Sequence, residues 1–278
     1  MGYKDILVHL DSSPACATRI DIGVQLARAF DAKLTGLYVV GLAPMHQYAE
    51  ADLGPELVEA HDRYMRDAAR EAERMFHDRS RSANISAEWR QVEGALPDLV
   101  LLHARFADLI IAGQRNTERL DPGTAPELPE HLILDAGRPV LIVPHTGAFP
   151  TVGERVAIAW KSNRGAARAV NDSLPFLKAA KEVCVIAINA EGGITGEGDN
   201  PAEDVVAHLS RHGISAQARS QKAERGMLGQ TLRDTITNFG ADLVVMGAFG
   251  RSRWRELMLG GVTRTMLGSM TLPTLMSR

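Results

Sequence analysis

The sequence predicts two consecutive α/β domains, each a doubly wound, mostly parallel β-sheet with helices on both faces. Strand-like and helix-like segments alternate along the whole chain, which is typical of this fold class. The second half repeats the order of segments found in the first half. The length of 278 residues suits two domains, at roughly 100–200 residues for each domain.

The repeat is visible in matching segments of the two halves. Residues 107–113 and 241–247 both begin with Ala-Asp, continue as a short apolar run and end in Gly. In each half a proline follows that Gly by 26 positions and opens a further apolar run, at Pro139 and Pro273. These correspondences indicate one domain copied twice, as repeats at a fixed offset do.

Residues 145–151 contain Gly and Pro between the two repeats, and this pattern predicts a linker. The predicted domains are therefore residues 1–145 and 152–278.

Each half supplies five short apolar segments that predict strands. They lie near 6–10, 34–40, 86–91, 108–112 and 139–143, and then near 155–160, 182–188, 215–219, 242–246 and 272–276.

Helices are predicted between the strands from apolar residues at helical spacing. In the first helix Ile20, Val24 and Ala27 recur in this way. The predicted helices span 14–30, 55–80, 95–105 and 129–136, followed by 164–179, 201–212, 226–239 and 262–269.

Composition and charge exclude several classes of protein. The 31 Lys and Arg nearly balance the 34 Asp and Glu, which argues against a general binder of nucleic acid or of membrane surfaces. No apolar run approaches the ~20 residues of a membrane span, and the N-terminus lacks the apolar stretch of a secretory signal. Cys16 and Cys184 are too few for a disulfide framework. We therefore expect a cytoplasmic protein.

The most informative segment carries four glycines between a strand and a helix. They are spaced G-x2-G-x9-G-G, at Gly247, Gly250, Gly260 and Gly261. Open α/β sheets bind ligands beyond the carboxyl ends of their strands, and glycines allow backbone amides to approach phosphate closely. The first amides of the helix predicted near Val262 are unpaired donors. We interpret the segment as a phosphate-binding loop, with a plain turn as the alternative.

This spacing resembles the nucleotide-binding loop of the universal stress protein family, G-x2-G-x9-G-(S/T). Residues 7–13 are similar to the family's opening strand with its V-D-G-S turn, and residues 139–144 to its closing strand. The resemblance extends over both halves, so the chain is similar to a tandem member. It implies five-stranded sheets in the order 3-2-1-4-5. It also implies a pseudo-twofold pair of domains, in contact through 139–143 and 272–276.

The resemblance further implies an adenine nucleotide such as ATP as the ligand, with Mg²⁺ as an optional companion. In ATP-binding members the Asp after strand 1 contacts adenine, and the glycine loop binds ribose and phosphates. The implied contacts in the second domain are Gly247, Gly250, Gly260, Gly261, the amides of Val262 and Thr263, and also Trp160 and Lys161. Asp11 and Gly113 are the weaker candidates in the first domain.

Each half departs from the family pattern in its own way. The first keeps Asp11, but Asn116, Pro126 and Glu127 replace the second, third and fourth glycines. Proline lacks an N–H donor, and a carboxylate repels phosphate. The second half has Lys161 at the Asp position, and lysine donates to phosphate but cannot accept a hydrogen bond from adenine. We expect at most one nucleotide per chain, bound in the second domain.

Other chemistry finds little support in the sequence. His208 and His212 have a spacing compatible with metal binding, but a solvated helix end is the favoured interpretation. His9 lies in a buried-strand pattern and is expected to be a packed core residue. No nucleophile elbow, P-loop lysine motif or complete dinucleotide fingerprint is present. The sequence therefore gives no positive case for an enzyme.

The leading hypothesis is a stress-response protein that binds an adenine nucleotide and acts through its conformation or a protein partner, with homodimerisation left open. One alternative is an interaction scaffold that binds no nucleotide. Another is a slow ATP hydrolase. Asp242 and Glu256 are interpreted as lying near the glycine loop, but neither is assigned a role as a base.

Overall fold

The structure is a computed structural model that describes residues 2–41, 55–115, 125, 127–188, 201–224, 227–248 and 267–278. Contacts between residues divide these into two compact units, residues 2–138 (the first unit) and residues 139–278 (the second unit). The domain boundaries drawn from the sequence repeats stay a prediction.

The first unit alternates strands and helices, as predicted. It contains β1 (Asp5–Leu10), α1 (Cys16–Phe30), β2 (Lys33–Gly41), α2 (Pro55–Ser82), β3 (Ala87–Gly94), α3 (Leu96–Ala104), β4 (Leu109–Gly113) and α4 (Leu128–Asp135). Its strands are parallel and lie in the order β3-β2-β1-β4. Right-handed crossovers place α1 and α2 on one face of the sheet and α3 on the other. The contacts agree, because α1 packs against α2, and α3 packs against α4.

The second unit has the same architecture with one added strand. It contains β5 (Val140–Val143), β6 (Arg155–Trp160), α5 (Arg164–Asp172), α6 (Leu174–Ala179), β7 (Glu182–Ile188), α7 (Pro201–Arg211), β8 (Gln217–Gln221), α8 (Leu228–Phe239), β9 (Leu243–Gly247) and β10 (Thr274–Ser277). The parallel strands β8-β7-β6-β9-β10 follow the order 3-2-1-4-5 that the resemblance implied.

The added strand β5 is the closing strand of the first repeat. It pairs antiparallel with β10, so that Ile142 faces Thr274 and Val140 faces Met276. The two closing strands, which were the expected contact elements, are therefore hydrogen-bonded neighbours. The pseudo-twofold relation between the repeats stays a prediction.

The two repeats share one strand register. Ile6 faces Leu109 in the pair β1–β4, and Val156 faces Leu243 in the pair β6–β9. These residues occupy corresponding positions in the repeats, and all are buried. The carboxyl ends of β1 and β4 are thus equivalent to those of β6 and β9.

One predicted helix proves to be two. The segment 164–179 is divided between α5 and α6, with Ser173 at the junction. Pro175 lies at the start of α6, where a proline costs no hydrogen bond. In the interior of a longer helix the same ring would remove an N–H donor and clash with the preceding turn. The prediction of one continuous helix over 164–179 was therefore wrong.

Cys16 and Cys184 are free thiols, and both are buried.

The helix predicted at 262–269 is described only in part. Residues 267–269 are helical, and residues 262–266 lie outside the described residues. Among the residues that the structure describes, no helix has the length and apolar character needed to cross a membrane.

Candidate functional site

The structure contains two equivalent switch points, where a neighbouring pair of central strands ends. We call the carboxyl ends of β1 and β4, marked by Asp11 and Gly113, the first switch point. The carboxyl ends of β6 and β9, marked by Lys161 and Gly247, form the second switch point. Both are places where an open α/β sheet binds ligands. The other predicted contacts in the second domain, Gly250, Gly260, Gly261, Val262 and Thr263, lie outside the described residues.

At the first switch point the predicted ligand residue Asp11 is engaged by the protein itself. Arg19 of α1 places Nη2 2.5 Å from Asp11 Oδ1, and the two side chains are only 2% and 10% exposed. The amide and hydroxyl of Ser13 donate to the same oxygen at 2.9 and 2.6 Å. Arg19 Nε donates to the carbonyl oxygen of His9 at 3.1 Å. We call His9, Asp11, Ser13 and Arg19 the Asp11 cluster.

The electrostatics of the Asp11 cluster follow from its burial and its one cation. Burial alone would raise the pKa of Asp11, but the Arg19 guanidinium, aided by His9 and Ser13, holds that pKa at about 2. Burial lowers the pKa of His9 to about 4. Asp11 is therefore an anion and His9 is neutral at physiological pH, as expected for a packed core histidine.

The guanidinium of Arg19 also lies against the end of β4. A Cβ added to Gly113 would lie 2.5 Å from Arg19 Nη1. The guanidinium thus fills the space between Asp11 and Gly113, the two residues predicted as weaker ligand contacts in the first domain.

A second internal ion pair follows β4. Arg115 Nη1 donates to Glu130 Oε1 of α4 at 3.2 Å, and the Glu130 side chain is 10% exposed. Glu130 lies in the first turn of α4, where a helix would otherwise offer its amides to an anion. Asp11 and Glu130 are therefore each paired with an arginine of the protein itself.

The second switch point has a different charge distribution. Lys161 is exposed and forms no ion pair with any described residue. Ala169 stands eight residues after Lys161, as Arg19 stands eight residues after Asp11. The indole Nε1 of the adjacent Trp160 is buried and has no acceptor within the described part of the chain. The structure therefore shows an unpaired cation here and no acid in place of Asp11.

Helix α5 packs so closely against Gly247 that no side chain fits at this position. An added Cβ would overlap the backbone of Gly165 and lie 2.8 Å from Cα of Ala166 in the first turn of α5. Asn163 caps that turn, because its Oδ1 accepts the amide of Ala166 at 2.9 Å. This close approach explains why glycine is needed at position 247, and a contact between Gly247 and phosphate stays a prediction.

The chain matches the model of one known protein family. The model of the universal stress protein family matches residues 2–144 and 186–278, so it covers most of the chain in two consecutive copies. The chain belongs to the universal stress protein family.

Solved structures agree with this assignment at the level of the fold. A universal stress protein from Archaeoglobus fulgidus DSM 4304 is 16% identical, with a TM-score of 0.74 over 99% of this chain and 96% of that one. A putative universal stress protein from Pseudomonas aeruginosa UCBPP-PA14 is 16% identical, with a TM-score of 0.63 over 99% and 93% of the two chains. None of the curated proteins is significantly similar to the chain in sequence.

Asp242 of this universal stress protein has a structural role at the far end of β9. Its carboxylate accepts the amides of Gly153, Glu154 and Arg155 at 2.9–3.0 Å, at the amino ends of β6 and β9. The corresponding Asp108 accepts the amides of Lys4 and Asp5. The interpretation of Asp242 as a residue near the glycine loop was therefore wrong, because the loop follows the opposite end of β9. Glu256 lies outside the described residues.

Replacing Asp242 by alanine is expected to destabilise the second unit by about 1–3 kcal/mol, since partly buried amides would lose their acceptor. Chemical denaturation followed by circular dichroism measures the change. Asp108→Ala is the matched control, and we expect a smaller loss because its two amides are exposed. Equal losses in the two variants would contradict this account.

Arg19 is the functional residue that the sequence analysis missed. The buried residues of α1 include Cys16, Arg19, Ile20, Gly23 and Ala27, which form one helical stripe. An arginine inside an otherwise apolar stripe, eight residues after an aspartate, was the available signal.

The two neighbouring histidines at the end of α7 form no metal site with other described residues. The rings of His208 and His212 lie 4.8 Å apart. Within the described ranges, no third His, Cys, Asp or Glu joins them or any other such pair to form a metal-binding group.

Proposed function

We propose that this universal stress protein binds one adenine nucleotide, such as ATP, at the second switch point, and that it acts as a binding protein rather than a catalyst. Its role would be to respond to stress by changing conformation or by binding a protein partner when the nucleotide is bound. The observation that carries the proposal is a difference between the two switch points. Arg19 fills the first, whereas Lys161 is exposed at the second.

At the first switch point the ligand position is already filled. The guanidinium of Arg19 forms an ion pair with Asp11 and lies against Gly113. Both side chains of this ion pair are almost fully buried. A nucleotide base entering there would have to displace a buried guanidinium from a buried carboxylate. Removing one partner from such a pair costs about 3–5 kcal/mol. A single neutral hydrogen bond to a base contributes less than this cost.

At the second switch point the charges favour an anion. Lys161 is exposed and unpaired among the described residues, and the sequence has Arg264 at the position that corresponds to Glu130. The sequence also keeps all four glycines of the spacing there. A cation at this end of the sheet, together with the glycine spacing that follows β9 in the sequence, supports the binding of phosphate.

Replacing Gly250 by valine is expected to abolish ATP binding, because a branched side chain would stand where the phosphates approach. Titration calorimetry with ATP and Mg²⁺ measures this, and the unmodified chain should bind one equivalent. Asn116→Val is the matched control, since position 116 corresponds to position 250 in the first repeat. Both Asn116→Val and Asp11→Ala should bind ATP as the unmodified chain does.

Two results would contradict the proposal. If Asp11→Ala, checked to be folded, loses ATP while Gly250→Val retains it, the site lies in the first unit. If the unmodified chain binds no ATP at millimolar concentration, the protein is better described as an interaction scaffold.

A further inference from the structure

We propose that the second switch point recognises the phosphates of its ligand and not the base, so that it accepts nucleoside polyphosphates generally and inorganic tripolyphosphate as well. This inference rests on the proposed function and names the class of ligand for that site. It follows from the side chains at the positions that correspond to the Asp11 cluster.

The first step concerns hydrogen-bond acceptors. The second-unit positions that correspond to the Asp11 cluster are Ala159, Lys161, Asn163 and Ala169. Only Asn163 carries a side-chain acceptor, and its Oδ1 already accepts the amide of Ala166. The exocyclic amino group of adenine is a donor and needs an acceptor, whereas lysine supplies donors alone. These positions therefore provide no side chain that selects adenine.

The second step concerns charge. In the first unit, Arg19 neutralises Asp11 at the switch point. In the second unit the charge at the strand end is reversed, and Lys161 has no acidic partner among the described residues. An exposed ammonium beside the ends of β6 and β9 attracts the phosphate groups of a ligand and offers nothing to a neutral base. Lys161 thus adds affinity for phosphate at a position where the family pattern has a base contact.

The third step concerns the relative size of the two effects. A single neutral hydrogen bond to a base changes an equilibrium constant by about tenfold at most. Charge-assisted bonds are roughly twice as strong, and a polyphosphate carries several charged oxygens that can accept them. A site that has lost the base contact and gained a cation should therefore distinguish ligands by their phosphates.

The test compares four ligands by titration calorimetry on the full chain, with and without Mg²⁺. We expect the Kd values of ATP and GTP to agree within about threefold, since no base hydrogen bond from these side chains separates them. Tripolyphosphate should bind within about tenfold of ATP, and adenosine should bind at least about 100-fold more weakly.

The outcomes separate this inference from the proposed function. If ATP binds more than tenfold tighter than GTP, or if adenosine binds nearly as well as ATP, the inference is overturned while the nucleotide site remains. If neither ATP nor tripolyphosphate binds at millimolar concentration, the proposed function itself fails.

Lys161→Asp provides a second readout, because it restores the residue type found at Asp11. It should weaken tripolyphosphate by about 10–100-fold and raise the preference for ATP over GTP. Lys178→Asp is the matched control: Lys178 is exposed, lies in the last turn of α6 and precedes the amino end of β7. Equal effects of the two variants on tripolyphosphate would show that only the net charge matters, and this would overturn the role of Lys161.

Discussion

Replacing Arg19 by alanine is expected to lower the free energy of unfolding by about 3–5 kcal/mol. The change leaves Asp11 as a buried anion without its cation, although the two hydrogen bonds from Ser13 remain. Burial raises the pKa of Asp11, and Arg19 is the main group that holds this pKa at about 2. The pKa of Asp11 should therefore rise when Arg19 is removed. Urea denaturation and hydrogen exchange of the amides of α1 measure the loss.

An exposed arginine of the other repeat serves as the control for this change. Arg168 of α5 pairs with Asp172 four residues later, and its side chain is 53% exposed. Arg168→Ala should cost clearly less than Arg19→Ala, about 1 kcal/mol, because Asp172 is 15% exposed and keeps some contact with water. The double variant Asp11→Leu with Arg19→Met should be more stable than Arg19→Ala, because it leaves no charge unpaired. A cost below 1 kcal/mol for Arg19→Ala would show that the ion pair does not hold the first switch point together.

Replacing Gly247 by alanine is expected to destabilise the second unit by about 3 kcal/mol, at the upper end of the usual range for overpacking. The added methyl group meets backbone atoms of Gly165 and Ala166, which cannot rotate away as a side chain would. Helix α5 must therefore move from the end of β9. The midpoint of thermal or urea unfolding measures the effect, and hydrogen exchange at α5 locates it.

Gly41 offers the matched control in the first unit. It ends β2, and an added Cβ would meet nothing within 4 Å. Gly41→Ala should leave stability unchanged or raise it by about 0.4–1 kcal/mol, because alanine restricts the unfolded chain. If Gly247→Ala were equally harmless, the close approach of α5 to β9 would not be a constraint on the sequence.

The sequence was sufficient to predict the fold because the fold depends on features that are local and repeated. Five apolar segments per half defined the strands, and the matching segments of the two halves predicted a repeated domain. The common register of Ile6–Leu109 and Val156–Leu243 agrees with that repeat. The first helix shows the limit of this reasoning. Its predicted apolar stripe included Val24, whereas the structure centres the buried stripe on Ile20 and Gly23.

The candidate site was harder to predict because it depends on contacts between elements distant along the chain. The family resemblance implied that Asp11 and Gly113 lie at one site, but it could not show that the side chain of Arg19 fills the space between them. The pattern also gave no sign that the backbone of α5 approaches Gly247 so closely, and the contact between Gly247 and phosphate stays a prediction. Asp242 was interpreted as lying near the loop because few residues separate them along the chain, whereas Asp242 precedes β9 and the loop follows it.

The pairing of β5 with β10 joins two strands of the same chain, so its stability does not depend on the protein concentration. The closing strand of the first repeat and the closing strand of the second repeat belong to one covalent chain. A contact of this kind between separate subunits weakens as the protein concentration falls, whereas a tethered partner is present at an effective concentration in the millimolar range, about 1 mM or more. A cell would therefore obtain the paired arrangement from a single copy of the chain, however little of the protein it makes.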